Sequence, residues 1–537
     1  MSITLTTDNR VAMWLLSPIA LQILDYLDDA DDAHAFLQAA PNGSLDDALD
    51  ALRTLLAMDV ELSLWPTPYA ECLDEVYSIS ASVVTRALPL FREIVVTRAQ
   101  DQAAICHSTE LAPTTTVRCD VQGATSVRAA LGKWLPNLVD LRVTSDFPLD
   151  VAAVLTDSVS TCHGLRAVTM RQSENLEQAA FDAALTAVLA TCSQVERIWV
   201  GSSSLSPMSD CKSLVAWLAL PTARHLELEG TDFYDEVGVE LAVAMLASST
   251  LETTNLSAVP SLTRAILSPS SPPLPSQLRH LIIFDYALKN DYDFNDDDDD
   301  DDVDPPTALG EADVAALAAK ISRSRLESLD VWLQDGCDAT PVVSVLPQLP
   351  ALTKLALQAV HLTWFPKLRH LWHLELFSVT FSDAAIESLA AFLGSSPKTV
   401  QLDLGCDPLP DPHANIIFGA LPQWLSRRGT ACEIRLAIKS DVCAEAFATA
   451  LAQTRNSHTV KITIASAGLS LAAKQQLVAA LALTSRMTLV FSSGGHRCAE
   501  DDAILEAYGR KHHLYGKQHF HGGAKSIRFH SPCTVVR

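Results

Sequence analysis

The chain has 537 residues, 48% of them hydrophobic and 19% charged, a balance that excludes a disordered chain. Its formal charge of −25, from 64 acidic and 39 basic residues, excludes a general phosphate-binding surface and with it a nucleic-acid or anionic-membrane partner; a basic protein surface would be steered toward it. Twelve cysteines without a Cys-x-x-Cys pair, no secretory leader pattern in the first ten residues and no run of about 18 apolar residues lead us to expect a soluble cytoplasmic or nuclear chain with reduced, buried thiols.

Residues 1–60 form the first region. Leu16 to Leu27 place Ile19, Ile23, Leu24 and Leu27 on one helical face, with Pro18 in the first turn. Asp28 to Asp32 break the apolar pattern and open a second helix through Ala33–Ala40, and a third helix is predicted from about Leu45 to Met58. Leu16, Pro18, Ile23, Leu24, Tyr26, Leu27, Asp32 and Phe36 together resemble an F-box, the helical motif that docks onto the Skp adaptor of cullin-type ubiquitin ligases. The resemblance implies adaptor docking through Leu16, Pro18, Ile23, Leu24 and Leu27. It departs from the motif at its end, where Pro41-Asn-Gly-Ser44 stands near the place of the usual Arg-Trp pair. The other reading of the same helices is a cap over the apolar edge of a first repeat, which every solenoid needs.

Residues 61–135 read as a transition with first degenerate repeats, Phe91–Val96 and Thr114–Cys119. From 136 to 495 one phrase recurs, apolar-x-x-apolar-x-apolar, as in Leu278–Ile283, Leu326–Val331, Leu352–Leu357, Leu371–Leu376 and Thr399–Leu404. Its second apolar residue falls at Val117, Leu141, Val168, Ile198, Leu226, Leu281, Leu329, Leu355, Leu374, Leu402, Ile434, Ile462 and Leu489, mostly 24 to 32 residues apart. The 55-residue step after Leu226 holds a degenerate copy near Leu251 and Leu256, and the 19-residue step after Leu355 implies a truncated unit. Alanine-rich helical segments lie between the phrases, and Ser382, Ser440 and Ser470 suit helix N-caps. Ser268–Pro275 reads as an irregular loop. Asn290–Asp304, with seven consecutive aspartates, marks an insertion at about 288–308, expected to be a solvated, disordered loop and not a calcium site. Residues 496–537 read as a C-terminal cap and His-rich basic tail without a metal site.

Strand, turn, helix, turn at this period resembles the ribonuclease-inhibitor-like leucine-rich repeat proteins over roughly residues 90 to 495. The resemblance implies an α/β horseshoe, with parallel strands on the concave face, helices on the convex face and a small α-helical N-terminal cap. Val360 and Val379 stand near the place where the family carries Asn or Cys after the strand, so its ladder of buried turn hydrogen bonds is expected to be incomplete.

In such a horseshoe the variable residues of each phrase face the concave side. Trp199, Glu227, Glu229, Phe284, Asp330, Trp332, Glu375, Phe377 and Asp403 are therefore the candidate partner-binding residues, aromatic anchors among carboxylates. No phosphate loop, dinucleotide fingerprint, nucleophile elbow or His-Glu-x-x-His is present, so we expect neither an enzyme nor a cofactor. The expected function is a protein-recognition scaffold, the substrate receptor of a ubiquitin ligase. The alternative is a stoichiometric inhibitor or structural binding module that captures a basic protein on an acidic concave face.

Overall fold

The computed structural model describes residues 17–97, 104–122, 127–144, 162–284 and 309–531, less 28, 42, 59–63, 173–177, 192, 203–207, 209, 232, 397, 406–407, 427–430, 457, 467, 493–498 and 522–523. The acidic insertion and Leu16 lie outside the described residues. The chain divides into two compact units, residues 1–244 and 245–537.

The first unit opens with helices Ser17–Leu24, Ala30–Gln38, Asp47–Ala57 and Ala70–Ala87. Two of the starts follow from aspartate caps. Asp29 accepts from the amides of Asp31 and Asp32, and Asp46 from that of Leu49. Leu24, Leu37, Leu52, Leu55 and Leu73 form the helical core, and Trp65 closes it by donating its Nε1–H to the Leu27 carbonyl at 2.6 Å. Six strands follow, each parallel to the next: β1 (Glu93–Val96), β2 (Thr116–Gln122), β3 (Leu138–Thr144), β4 (Ala167–Gln172), β5 (Arg197–Ser202) and β6 (His225–Glu229). Leu141, Val168, Ile198 and Leu226 stand in register across β3 to β6, and all four are buried.

The second unit continues the same grammar in β7 (Thr253–Ser257), β8 (His280–Phe284), β9 (Ser328–Asp338), β10 (Lys354–Leu362), β11 (His373–Phe377), β12 (Thr380–Phe381), β13 (Gln401–Leu404), β14 (Cys432–Ala437), β15 (Val460–Ala465) and β16 (Met487–Ser492). These strands are parallel, and Leu281, Leu329, Leu355, Leu374, Leu402, Ile434, Ile462 and Leu489 align in one buried row. Parallel neighbours need crossover connections, and right-handed crossovers between successive strands put the helices on one face of a sheet. The helices Asp383–Ser395, Asp441–Gln453 and Leu471–Leu481 start at Ser382, Ser440 and Ser470. Each serine hydroxyl accepts the amide three residues on, at 3.0–3.2 Å. A long parallel-strand sheet alternating with helices is compatible with a repeat solenoid.

Turn geometry repeats with the strands. Gly230, Ala258, Ala359 and Ser378 all have positive φ, each two residues after the last apolar residue of its phrase. The buried turn carbonyls are met by assorted side chains. Trp217 Nε1 donates to Val195 O, Thr399 Oγ1 to Leu371 O and Trp424 Nε1 to Thr399 O, at 2.9–3.1 Å.

The degenerate copy resolves as β7, where Thr254 pairs in register with Leu281. Thr254 thus occupies a leucine position. It is buried, its Oγ1 has no hydrogen-bond partner among the described residues, and it lines a small apolar cavity with Leu256, Thr263 and Leu281. Thr254→Val removes the orphaned hydroxyl at equal shape and should raise stability by about 1 kcal/mol, read as a higher urea midpoint at unchanged slope.

The C-terminal region departs from the expected tail. Helix Ala499–Lys511 leads into β17 (Tyr515–His521) and β18 (Ala524–His530), an antiparallel hairpin whose β18 pairs antiparallel with β16. Ile527 and Phe529 are buried, with Phe529 beside Phe491, so the hairpin closes the repeat row with apolar contacts. Among the described residues all eight cysteines are free, seven of them buried, and no helix is long and apolar enough to cross a membrane.

Candidate recognition surface

On every strand the residues between the buried leucine positions point away from the core, because successive side chains alternate between the two faces. The sequence-derived candidates occupy these positions, and eight of the nine are half-buried. Asp403 is the exception: it lies off the core face but is only 4% exposed, covered within the strand face. It folds onto Gly405, whose hypothetical Cβ would meet Oδ1 at 2.7 Å, and burial raises its affinity for a proton.

In the second unit two rows run across the strands. The outer row carries Phe284, Trp332, Gln358 and Phe377 on β8 to β11. Phe284 and Trp332 meet edge to face, with ring centroids 5.4 Å apart. Gln358 separates Phe377 from that pair, so the aromatics form a pair and an outlier and not a continuous array. Trp199, in the first unit, shares its register position with Glu227 and lies flat against Gly201, where a Cβ would come within 2.5 Å of its ring. Glu229 pairs in register with Gly201.

The inner row carries Asp330, Ala356, Glu375, Asp403 and Arg435. The expected acidic face is a ladder of mixed sign. Glu375 lies 2.6 Å from His373 Nε2 and 3.7 Å from Lys354 Nζ, and the His373 hydrogen bond holds its carboxyl below the usual range. Arg435 is 3.7 Å from both Asp403 and Glu433, and Lys461 is 3.0 Å from Glu433. In the first unit Arg142 Nε likewise sits 3.8 Å from Asp120 and 3.7 Å from Asp140. Opposite charges on adjacent strands stabilise the sheet locally, which like charges would not. Much of the negative surplus lies elsewhere: ten aspartates fall between residues 291 and 304 alone.

Several ladder carboxylates, Asp120, Asp140, Asp330 and Asp403, are raised by burial and have a solvent-shielded Oδ1 without a hydrogen-bond partner among the described residues; Asp330 is the one that lies beside the aromatic pair. Burial pushes its carboxyl up to about 6, only partly opposed by Lys354, and Glu375 raises it further. Its Oδ1 is shielded from solvent and has no hydrogen-bond partner among the described residues. Next to it on the same strand is Trp332, so a polar acceptor lacking a donor lies beside an aromatic pair. The alternation in Leu329-Asp-Val-Trp332 located both residues; their environment comes from cross-strand neighbours dozens of residues away, which no local pattern reveals.

The adaptor-docking candidates separate differently. Pro18 lies in the first turn of helix Ser17–Leu24. Leu24 is 1% exposed and belongs to the helical core, so it is removed from the docking set; Leu27 is half-buried. Ile23 faces outward at 39% exposure, joined by Ile19 at 42% and Tyr26 at 86%. The apolar face read as a single docking stripe is therefore divided, Leu24 turned to the core and Ile19 and Ile23 to solvent.

Among the described residues no three His, Cys, Asp or Glu side chains converge as metal ligands. A scan against protein-family models finds no match to the chain, and a search of curated proteins finds no relative.

Proposed function

We propose that the chain is a non-enzymatic protein-recognition scaffold of the ribonuclease-inhibitor-like leucine-rich repeat type, acting in the cytoplasm or nucleus. Its open strand face is the concave surface of a horseshoe, and it grips a partner at Phe284, Trp332 and Asp330. The observation that carries this reading is the Asp330 acceptor without a donor beside the Phe284–Trp332 pair. A partner lysine, arginine or backbone amide that reaches the half-buried Asp330 carboxylate would give it a donor, and the rings would supply apolar contact or a cation–π face. The mixed-sign ladder favours a patterned partner over bulk capture of a basic protein, which places the inhibitor reading second.

Exposed Ile19, Ile23 and Tyr26 support a second attachment point, the docking of an Skp-type adaptor, which makes the scaffold a ubiquitin-ligase substrate receptor. Quantitative affinity capture from cell lysate tests both parts. Phe284→Ala with Trp332→Ala should reduce recovery of the target about tenfold or more while the adaptor stays. Ile23→Glu with Tyr26→Glu should lose the adaptor and keep the target. Identical protein sets from both variants and the native chain would overturn the reading.

A further inference from the structure

The truncated unit between β10 and β11 leaves out a helix. The ten residues Thr363 to Trp372 take its place, and the loop is anchored by buried side chains. Phe365 packs on Phe392 with centroids 5.2 Å apart, its amide donates to Ser388 Oγ at 2.9 Å, and Pro366, Leu368 and Leu371 are buried. Around these anchors the exposed residues of the loop are Thr363, Trp364, Lys367, Arg369, His370 and Trp372, all but the first aromatic or basic. The two tryptophans are 44% and 53% exposed. No carboxylate among the described residues lies within ion-pair distance of Lys367, Arg369 or His370, although the chain as a whole is strongly acidic.

The missing helix also leaves clefts on both sides of the loop, each about 300 Å³. They share the wall of Lys367, Leu368 and Arg369. The far wall of the first is aliphatic, with Leu346, Leu349 and Pro350, and that of the second is Phe392 with Ser395 and Ser396. In the first cleft, cations without an ion-pair partner among the described residues face aliphatic carbons, an arrangement that fits a ligand carrying carboxylates and apolar side chains in alternation.

We propose that this loop is a second docking site, for a short, extended acidic peptide segment of a partner protein. Charge complementarity selects the acid, since three basic side chains without an ion-pair partner among the described residues line a groove in a chain of net charge −25. The same net charge selects a short segment over a long polyanion, whose distant phosphates would be repelled. The aliphatic wall of the first cleft accepts leucine-like side chains, while Trp364 and Trp372 supply rim anchors of the kind that dominate interface energies. The site stands independently of the strand-face reading.

Fluorescence polarisation on the full chain tests it, with a short labelled peptide alternating glutamate and leucine. The native chain should bind this peptide, should not bind the same peptide with glutamine for glutamate, and should lose affinity as salt rises. Lys367→Glu with Arg369→Glu should weaken binding about tenfold or more, and Trp364→Ala with Trp372→Ala should do the same at unchanged net charge. Lys367→Gln with Arg369→Gln serves if the charge reversal lowers the melting temperature, and it should weaken binding in the same direction. No binding to the native chain, equal binding to the charge-altered chains, or tighter binding of an oligothymidylate of equal charge would overturn the proposal.

Discussion

Trp424→Ala should destabilise the second unit by about 3–5 kcal/mol, close to what large-to-small changes at fully buried aromatic sites cost. The indole is 0% exposed in helix Asp411–Leu425, and its Nε1–H donates to the Thr399 carbonyl at 3.1 Å. Thr399 in turn donates its hydroxyl to the Leu371 carbonyl at 3.0 Å, so one chain of side-chain bonds ties this helix to two successive turns. Alanine leaves a cavity and an unmet carbonyl in the same place. Trp424→Phe separates the two losses: it keeps most of the buried area and should cost only about 1–2 kcal/mol, the share of the hydrogen bond and residual void. Because repeats pack on their neighbours, the loss should spread only locally, with amide exchange rising first between about residues 371 and 453. A Trp424→Ala chain within 1 kcal/mol of native, by urea denaturation, would contradict this packing.

The second large effect is a pH-dependent gain in Asp330→Asn. The folded carboxyl of Asp330 titrates at about 6, above the 3.8 of a free aspartate. Below the lower value both states are protonated and burial of the carboxyl costs little. Between the two values the unfolded chain gives up its proton while the folded chain keeps it, so native stability falls as pH rises through that window. Above about 6 the carboxylate is ionised and desolvated, at a cost of about 1–3 kcal/mol after allowance for its partial exposure. Asparagine has no such charge. The variant should match the native chain near pH 4 and exceed it by about 1–3 kcal/mol at pH 7.5, read as the urea midpoint at each pH. Equal stability of both chains at pH 7.5 would show that the carboxylate is not strained. A site that holds this cost in reserve gains it back when a donor arrives, which is why Asp330 is placed at the centre of the recognition surface.

The repeat was legible wherever leucine, isoleucine or valine held the core position, since burial at that position is what stacks one unit on the next. Thr254 broke the pattern by chemistry, not by architecture: a threonine can occupy the pleat, yet it carries no hydrophobic signature. The hairpin of β17 and β18 escaped notice because its histidines and lysines look like a solvated tail. A signal was present nonetheless. Gly-Gly is a dipeptide that favours two-residue hairpin loops, as the sequence has at 522–523, and Ser526-Ile-Arg-Phe-His530 alternates polar and apolar residues in the manner of a strand with one buried face.

The candidate surface was half legible. Period-two alternation named Phe284, Asp330, Trp332, Glu375 and Phe377 as residues off the core face, and they are. Local sequence could not show that Asp403 folds onto Gly405 and out of reach, nor that Lys354, Arg435 and Lys461 neutralise an apparently acidic row, because those neighbours arrive from other strands. At the N-terminus the helical period correctly grouped Ile19, Ile23 and Leu24 in one helix. Which of them faces solvent depends on the helices that pack against it. The loop from 363 to 372 was marked only by a short repeat step, and its exposed tryptophans and cations gained meaning from the clefts that the missing helix leaves.

Photo-cross-linking distinguishes target binding on the strand face from binding on the helices. Gln358 sits in register between Trp332 and Phe377 on the open strand face, and Ile416 lies exposed on helix Asp411–Leu425. A benzophenone amino acid placed at each position in turn, followed by irradiation in lysate and mass spectrometry, reports which face meets the target. A target adduct is expected from position 358, absent when Phe284 and Trp332 are both alanine, and none from position 416. Adducts with the target from 416 alone would contradict binding on the strand face.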